Sequence, residues 1–541
     1  MSRRQTVLAI GEWICAAGLA AWLLWIHCQN LLRASMLWRD EITTLHIATQ
    51  PSIRGVWSLT EWESLPLLWP MTLRTWIGLG LGTDALSLRT LAGVVGVAII
   101  VSLFFALRRI AGTLPLLSLL LVAANPSVIR FGDSLRAYGL GLLLVILLTI
   151  AMWELTIRVT RGRFIVAALL AILAVQCLYH DAVVVLALST GCAAAWGVQR
   201  RFREAAVPLA IGLLAATTLL PYVGPLGRAS QWNVVFRTPV DLGWLVAKLR
   251  QAVEIDGPWL SLLWTGLAIS ALVACAHRLW HPASTSASVA EQRARTVFLS
   301  VALLVGVAGY ATFLILVGYP TQSWYYLSLL GLTAVLIESS LALHLGDRFG
   351  WRVLRLGIVA SAIVVVAPAL GRSYPTRLTN FDRVAATLTE QARPDDLILV
   401  TPWYLGISFD HYYAGPTPWL SVPDIADHKL TRYDLVKDLM TRPDAVRPIA
   451  DRVQATLERH GRVWLVGDLP LVAGNPPPPA APVAPDSPLG WSESGYQQLW
   501  SRTVAHRLQE HADRRSRVPI EGLGVVSPFE NPPLYLFEAL P

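Results

Sequence analysis

The chain has 541 residues, 54% of them hydrophobic, with a mean hydropathy of +0.51 and 15% charged side chains, against roughly 25% in soluble domains. A disordered chain and a simple soluble domain are both excluded. The charges divide at residue 372: before it stand 28 basic and 16 acidic side chains, net +12, and after it 16 basic and 20 acidic, net −4, so one part suits lipid and the other water.

Apolar runs suited to membrane helices fall at about 6–28, 88–107, 110–124, 138–156, 164–179, 182–198, 206–222, 259–277, 297–318, 323–343 and 354–371. Several are shorter than the ~20 residues a perpendicular helix needs. The pattern predicts a multi-pass α-helical membrane protein with about 11 transmembrane helices over residues 1–372. The first run follows Arg3-Arg4, is longer than the apolar core of a signal peptide and lacks a small-residue cleavage site, so it is expected to stay as an anchor.

Basic clusters recur at every second loop: Arg3/Arg4, Arg108/Arg109, Arg158/Arg161/Arg163, Arg200/Arg201/Arg203, Arg278/Arg293/Arg295 and Arg348/Arg352/Arg355. By the positive-inside rule these mark the cytoplasmic side. With an odd number of spans, the polar C-terminal part is then extracytoplasmic, as expected for a bacterial plasma (inner) membrane protein. Counting residues 65–81 as a further span would turn every later cluster outward. That segment is therefore expected to lie at the outer interface, within a first extracytoplasmic loop of 29–87. The overall +8 belongs to these loops and implies no nucleic-acid partner. The 22 Trp suit interfacial belts. All five Cys sit in apolar segments, which provides neither a disulfide framework nor a metal-type pair.

Residues 373–541 alternate helical and strand-like stretches: FDRVAATLTEQA, DLILVT, a helix around 433–459, RVWLVGD and LYLFEAL. They predict a soluble extracytoplasmic α/β domain. Residues 475–488 are proline-rich and are expected to form an extended connector.

Ten of the sixteen acids in the membrane part map to outer loops, where chemistry beside lipid is to be sought. The sharpest feature is Arg39-Asp40-Glu41, followed by apolar residues at Ile42, Leu45 and Ala48. That spacing predicts a short interfacial helix with Asp40 at its start. The bland alternative is that Asp40 only caps the helix.

Four pieces of sequence then fall in order. They are Asp40-Glu41; Ser64-Leu65-Pro66-Leu67, followed by Leu86-Ser87-Leu88-Arg89; Asn125-Pro126 with Gly132-Asp133-Ser134-Leu135-Arg136-Ala137-Tyr138; and Gln322-Ser323-Trp324-Tyr325-Tyr326. In this order the chain resembles the GT-C class of integral-membrane glycosyltransferases, in particular bacterial relatives of the protein mannosyltransferase and aminoarabinose transferase families. The resemblance covers roughly residues 1–340.

It implies inverting transfer of a sugar from a polyprenyl-phosphate donor to a lipid, glycan or protein acceptor at the outer face. Because the donor is already activated, no nucleotide-binding domain is needed, and none is visible. The resemblance makes Asp40 the general base, with Glu41 beside it. It also suggests Glu63 as the carboxylate that orients the acceptor or binds a divalent metal, although Ser64 replaces the usual His; no cofactor is otherwise implied. Glu61 reads as a solvated loop acid.

Arg136 and Tyr138, at the mouth of a span, suit phosphate binding or interface anchoring. Asp133 could pair with Arg136, and His180 could donate to sugar or phosphate or simply face water. Relatives carry an Arg near the late aromatic loop where this chain has Gln322; Lys248, Arg250, Arg237 or Arg372 could take its role. Trp324 and Tyr325 could stack on a sugar or belong to an aromatic belt. Asp410-His411-Tyr412-Tyr413 suits acceptor or partner contact. A transporter or lipid flippase and a noncatalytic membrane scaffold are the alternatives. Nearly charge-free span interiors and acids gathered on one face favour chemistry at the interface.

Overall fold

A helix hydrophobic enough for lipid still has to satisfy its own backbone, so long uninterrupted helices dominate. The computed structural model describes residues 3–33, 36–63, 65–233, 240–254, 257–281, 287–318, 321–346, 348–373, 376–471, 478–485, 492–522 and 524–540. Among them nine helices are long and apolar enough to cross a membrane: Arg3–Leu32, Ala85–Ile110, Tyr138–Ile157, Asp181–Val198, Phe202–Gln231, Trp259–Trp280, Ala290–Val317, Ser323–Leu345 and Phe349–Arg372.

Two further stretches expected as spans take other forms. The 164–179 run is the helix Arg161–Cys177, 17 residues and about 26 Å long at 1.5 Å per residue. The 110–124 run is not one helix. A turn at Leu116–Ser118 passes into a π-helical turn at Leu119–Ala123, and a separate helix follows at Pro126–Gly132. Pro115 and Pro126 bracket this stretch and stop helix extension. All residues from Leu116 to Ala124 are buried, so the run is apolar because protein surrounds it. The break is satisfied from outside: Glu338, itself buried, accepts the Leu117 and Ser118 N–H groups at 2.9 and 2.7 Å and the Ser118 hydroxyl at 2.7 Å. Span interiors are therefore less free of charge than composition suggests. Glu12 likewise accepts from Arg352 and Arg355.

Contacts divide the chain into two compact units. The first comprises Met1–Arg33, Leu65–Val223 and Thr238–Pro375, and the second Ala34–Ser64, Gly224–Arg237 and Thr376–Pro541. The expected boundary at 372/373 grouped the 29–87 loop with the spans, whereas most of it, residues 34–64, packs with the C-terminal residues.

Within the first unit the basic clusters meet at one end of the bundle. Glu154 joins Arg109 and Arg163, Arg295 covers the Trp153 ring and Arg201 the Trp196 ring, and Trp196 Nε1 donates to the Leu155 carbonyl. Arg352 and Arg355 share Glu12, and Arg355 also reaches Thr113. Tyr138 opens the helix that Glu154 nearly closes, which puts the two ends about 24 Å apart.

The second unit is built on a five-stranded sheet, β1 Leu397–Val400, β2 Trp419–Ser421, β3 Arg462–Val466, β4 Arg514–Val518 and β5 Leu534–Glu538, in the order β2-β1-β3-β5-β4. The β2-β1-β3 pairs are parallel, and β5 and β4 add antiparallel. Alternation puts Leu397, Leu399, Val463 and Leu465 against the Arg447–Glu458 and Glu493–His511 helices. Ile398, Val400, Trp464 and Val466 face the Phe381–Gln391 and Gly406–Tyr412 helices. Helices thus cover both faces, which explains the unbroken apolar runs in β1 and β3. Part of the 475–488 connector lies outside the described residues; 478–485 carries no helix or strand.

Candidate active site

The helix Arg39–Ala48 begins after Trp38 in extended conformation. Asp40 and Glu41 occupy its first turn, where carboxylates complement the exposed N–H groups. Glu41 is fully buried, and its Oε2 accepts the Trp38 N–H at 3.2 Å, half of a capping box. The capping role considered for Asp40 thus falls to Glu41. Asp40 stays a quarter exposed and accepts from Arg39 Nε at 3.0 Å.

One turn on, the Thr44 hydroxyl contacts the Asp40 carbonyl at 2.9 Å and Glu63 Oε2 at 3.2 Å, so the buried Glu63 carboxylate is tied to the same helix. Glu61 pairs with Arg228; it is not a solvated loop acid.

Residues far along the chain fix this helix. The Arg39 N–H donates to Glu530 Oε1 at 3.0 Å, and its guanidinium lies 4.8 Å from the Tyr404 ring centre. The Tyr412 hydroxyl donates to the Leu37 carbonyl at 2.7 Å. Glu530 also accepts from the Ser408 hydroxyl at 3.0 Å. Burial pushes the Glu530 carboxyl up to about 7, against the pull of nearby Arg39. Sequence reading missed Glu530, Tyr404 and Ser408 because nothing in their local pattern links them to residue 39. Of the polar stretch 410–413, Tyr412 serves as this structural anchor, while Asp410 pairs with Lys429 at 2.6 Å.

In the membrane unit, the end away from the basic clusters gathers most of the other residues singled out. Asp133 is buried and held by His27 Nδ1 at 2.7 Å and Asn30 Nδ2 at 3.0 Å. A side chain at Gly139 would meet the Gly132 carbonyl at 2.2 Å, so Gly139 permits the tight passage that carries Asp133 to Arg136.

Arg136 is buried, 6.0 Å from the Tyr138 ring centre. Tyr138 lies 5.9 Å from Tyr325 and 6.4 Å from Trp324, and Trp324 lies 4.6 Å from Phe131. His180 is buried between Tyr310 and Tyr325 at 5.7 and 6.0 Å, which excludes the water-facing turn histidine considered for it. Gln322 Oε1 accepts from Lys248 Nζ at 3.3 Å. Of the substitutes for the missing arginine, Lys248 therefore reaches the aromatic loop. Arg250 is paired with Glu254 at 2.8 Å, and Arg237 lies outside the described residues.

This cluster offers a primary ammonium, a guanidinium and stacked rings, the groups that receive a phosphate and a sugar face. Among the described residues no group of three or more His, Cys, Asp or Glu is placed to hold a metal ion.

Fold and site together describe a multi-pass helical membrane protein whose first loop is built into a second, α/β unit. No family model matches the chain, and no curated protein does. Among solved structures it is similar to the oligosaccharyltransferase of Archaeoglobus fulgidus, at 10% identity over 84% of this chain and 69% of that one, TM-score 0.45. It is similar to ArnT from Cupriavidus metallidurans bound to undecaprenyl phosphate, at 15% identity over 84% and 93%, TM-score 0.34. It is also similar to the arabinofuranosyltransferase AftD from Mycobacteria, at 16% identity over the whole of this chain and 40% of that one, TM-score 0.43.

Proposed function

We propose that this chain is a GT-C-type glycosyltransferase that moves a sugar from a polyprenyl-phosphate carrier to a hydroxyl- or amine-bearing acceptor at the outer face of a bacterial plasma membrane. The observation that carries the reading is the meeting of Lys248, Gln322, Trp324, Tyr325, Tyr138 and His180 at the bundle end remote from the basic clusters. Residues 34–64 follow the first span and residues 376–541 the last, yet both belong to one compact unit. They therefore lie on one side of the membrane, which supports an odd number of crossings and an outward-facing Asp40.

In the reaction, the acceptor's lone pair attacks the anomeric carbon opposite the phosphate. The bond from that carbon to the phosphate oxygen breaks, and the lipid phosphate leaves with the electron pair. Asp40 takes the acceptor's proton, a contribution of about 10² to 10⁴ in rate. Lys248 and Arg136 hold the phosphate as its charge grows, and Trp324 and Tyr325 stack on the sugar. Glu63, held through Thr44 on the Asp40 helix, orients the acceptor. Glu41 supports the helix end. Transport is the weaker reading, because the N–H groups freed by the broken helix at 116–118 are taken up by Glu338 and offer a solute nothing to bind.

The test is Asp40→Asn in proteoliposomes supplied with a panel of labelled polyprenyl-phosphate sugars. Transfer should fall by about two orders of magnitude with an unchanged circular dichroism spectrum. Undiminished turnover would remove Asp40 from the reaction, and no consumption of any donor by the wild type would remove the reaction itself.

A further inference from the structure

The end of the bundle that carries the basic clusters contains a cavity of about 560 Å³, within the roughly 300–1,000 Å³ of small-molecule sites. Its polar lining includes Arg108, Arg352, Arg355, Glu12 and Thr113. Three guanidinium groups thus stand against Glu12, and Arg355 also lies 3.7 Å from the buried Glu338, which leaves the cluster a net charge of +1.

The three arginines are not equivalent. Arg355 is 3% exposed; it donates to Glu12 at 2.6 Å and Thr113 at 2.8 Å, while its buried Nε has no hydrogen-bond partner. Arg352 shares Glu12 at 2.6 Å. Arg108 has no carboxylate within ion-pair distance among the described residues; it makes a 3.5 Å contact with the Gly112 carbonyl and lies 5.7 Å from the Trp13 ring centre. Arg108 is thus the guanidinium whose fork is open to a compact anion, and a phosphate oxygen pair matches such a fork.

Trp13, also in the wall, is half exposed, and Ile10 and Ile14 on the same helix are more than half exposed. In a spanning helix these side chains face hydrocarbon. A polar pocket that runs out onto a lipid-facing apolar flank fits a two-part ligand, an anionic head and an acyl tail.

We propose that this cavity binds the phosphate headgroup of an anionic phospholipid of the cytoplasmic leaflet, at the opposite end of the bundle from Lys248 and the aromatic loop. The phosphate is held by Arg108, with Arg355 and Arg352 adding positive charge behind it, and the glycerol and first chain carbons run along Trp13. The site needs neither Asp40 nor a sugar donor, so it stands or falls apart from the transferase reading.

The full chain, purified in mild detergent, would be given phosphatidylglycerol or phosphatidylcholine and examined by native mass spectrometry for retained lipid. Arg108→Gln removes the cation that is not part of the Glu12 network, so folding is preserved. Arg161→Gln, an exposed arginine outside the cavity, controls for bulk charge. The wild type and Arg161→Gln should retain phosphatidylglycerol over phosphatidylcholine. Arg108→Gln should retain about tenfold less, the loss of one charge-assisted bond. Equal retention in Arg108→Gln, or an equal fall in Arg161→Gln, would overturn the site. Displacement of the lipid by millimolar glycerol 3-phosphate or inorganic phosphate would show that the phosphate ligand is soluble and overturn the lipid assignment.

Discussion

Glu530 anchors the start of the Asp40 helix from a buried position, and its protonation should be legible in the stability of the α/β unit. Its carboxyl rises from an ordinary 4.5 to about 7 because burial penalises the charge more than Arg39 and Ser408 relieve it. A raised carboxyl contributes stability that is fully present below its unfolded value and lost as the pH climbs through the folded one. The window is therefore about pH 4.5 to 7, and the loss is about 3 kcal/mol at ~1.4 kcal/mol for each tenfold change in proton affinity.

For a unit of roughly 200 residues that corresponds to about 6–12 °C in Tm. His428 works in the opposite sense: burial pushes it down to about 4, so its contribution grows between about pH 4 and 6.5 and partly masks the Glu530 slope. The measurement must therefore be a difference. Thermal unfolding of the purified full chain and of Glu530→Gln would be followed at pH 5, 6, 7 and 8. Between pH 5 and 8 about 2.5 kcal/mol of the loss occurs, so the variant should gain on the wild type by about 5–10 °C over that range, because Gln carries no charge to bury and His428 cancels in the subtraction. A difference independent of pH would refute the assignment of a buried, high-affinity proton to Glu530.

Glu41→Ala should cost about 0.5–2 kcal/mol of stability through the lost cap and leave the turnover of the folded fraction within a few-fold of wild type, measured as activity per mole of folded protein; a collapse of turnover without loss of stability would return Glu41 to the chemistry. Lys248→Gln removes a charge-assisted bond worth about 1.5–3 kcal/mol, and should raise the KM for the lipid-linked donor by about ten- to a hundredfold while kcat changes less. An unaltered KM would leave the phosphate to other residues.

Much of the helical plan was legible because lipid-facing helices announce themselves by length and apolar composition, and because arginines collect at one end of the bundle. What misled was burial of a different kind. The 110–124 run is as apolar as its neighbours, yet it is a broken helix enclosed by protein, whose two spare N–H groups depend on Glu338 more than two hundred residues away. Motif order singled out Tyr138, Trp324 and Tyr325, and their rings lie 5.9–6.4 Å apart. The supports of the candidate residues were not legible, because the partners of Asp133 and Arg39 are His27 and Glu530, residues of no distinctive local pattern. The choice of Lys248 over Arg250 was likewise beyond the sequence: both are cations on one helix, and only the turn of that helix decides which reaches Gln322.

The hydrogen bond between Arg39 and Glu530 joins positions 491 residues apart, and this orders events during synthesis. Chains form their early regions first while the ribosome is still at work. The stretch bearing the aspartate leaves the ribosome among the earliest, but Tyr404, Tyr412 and Glu530 are translated only after every span has been made. A nascent molecule can therefore complete its bundle, including the lysine beside the aromatic loop, while the support for its acid is still missing. Chains cut short before Glu530 should accumulate as inserted but idle protein, so translation through Glu530 is the step that licenses the first loop.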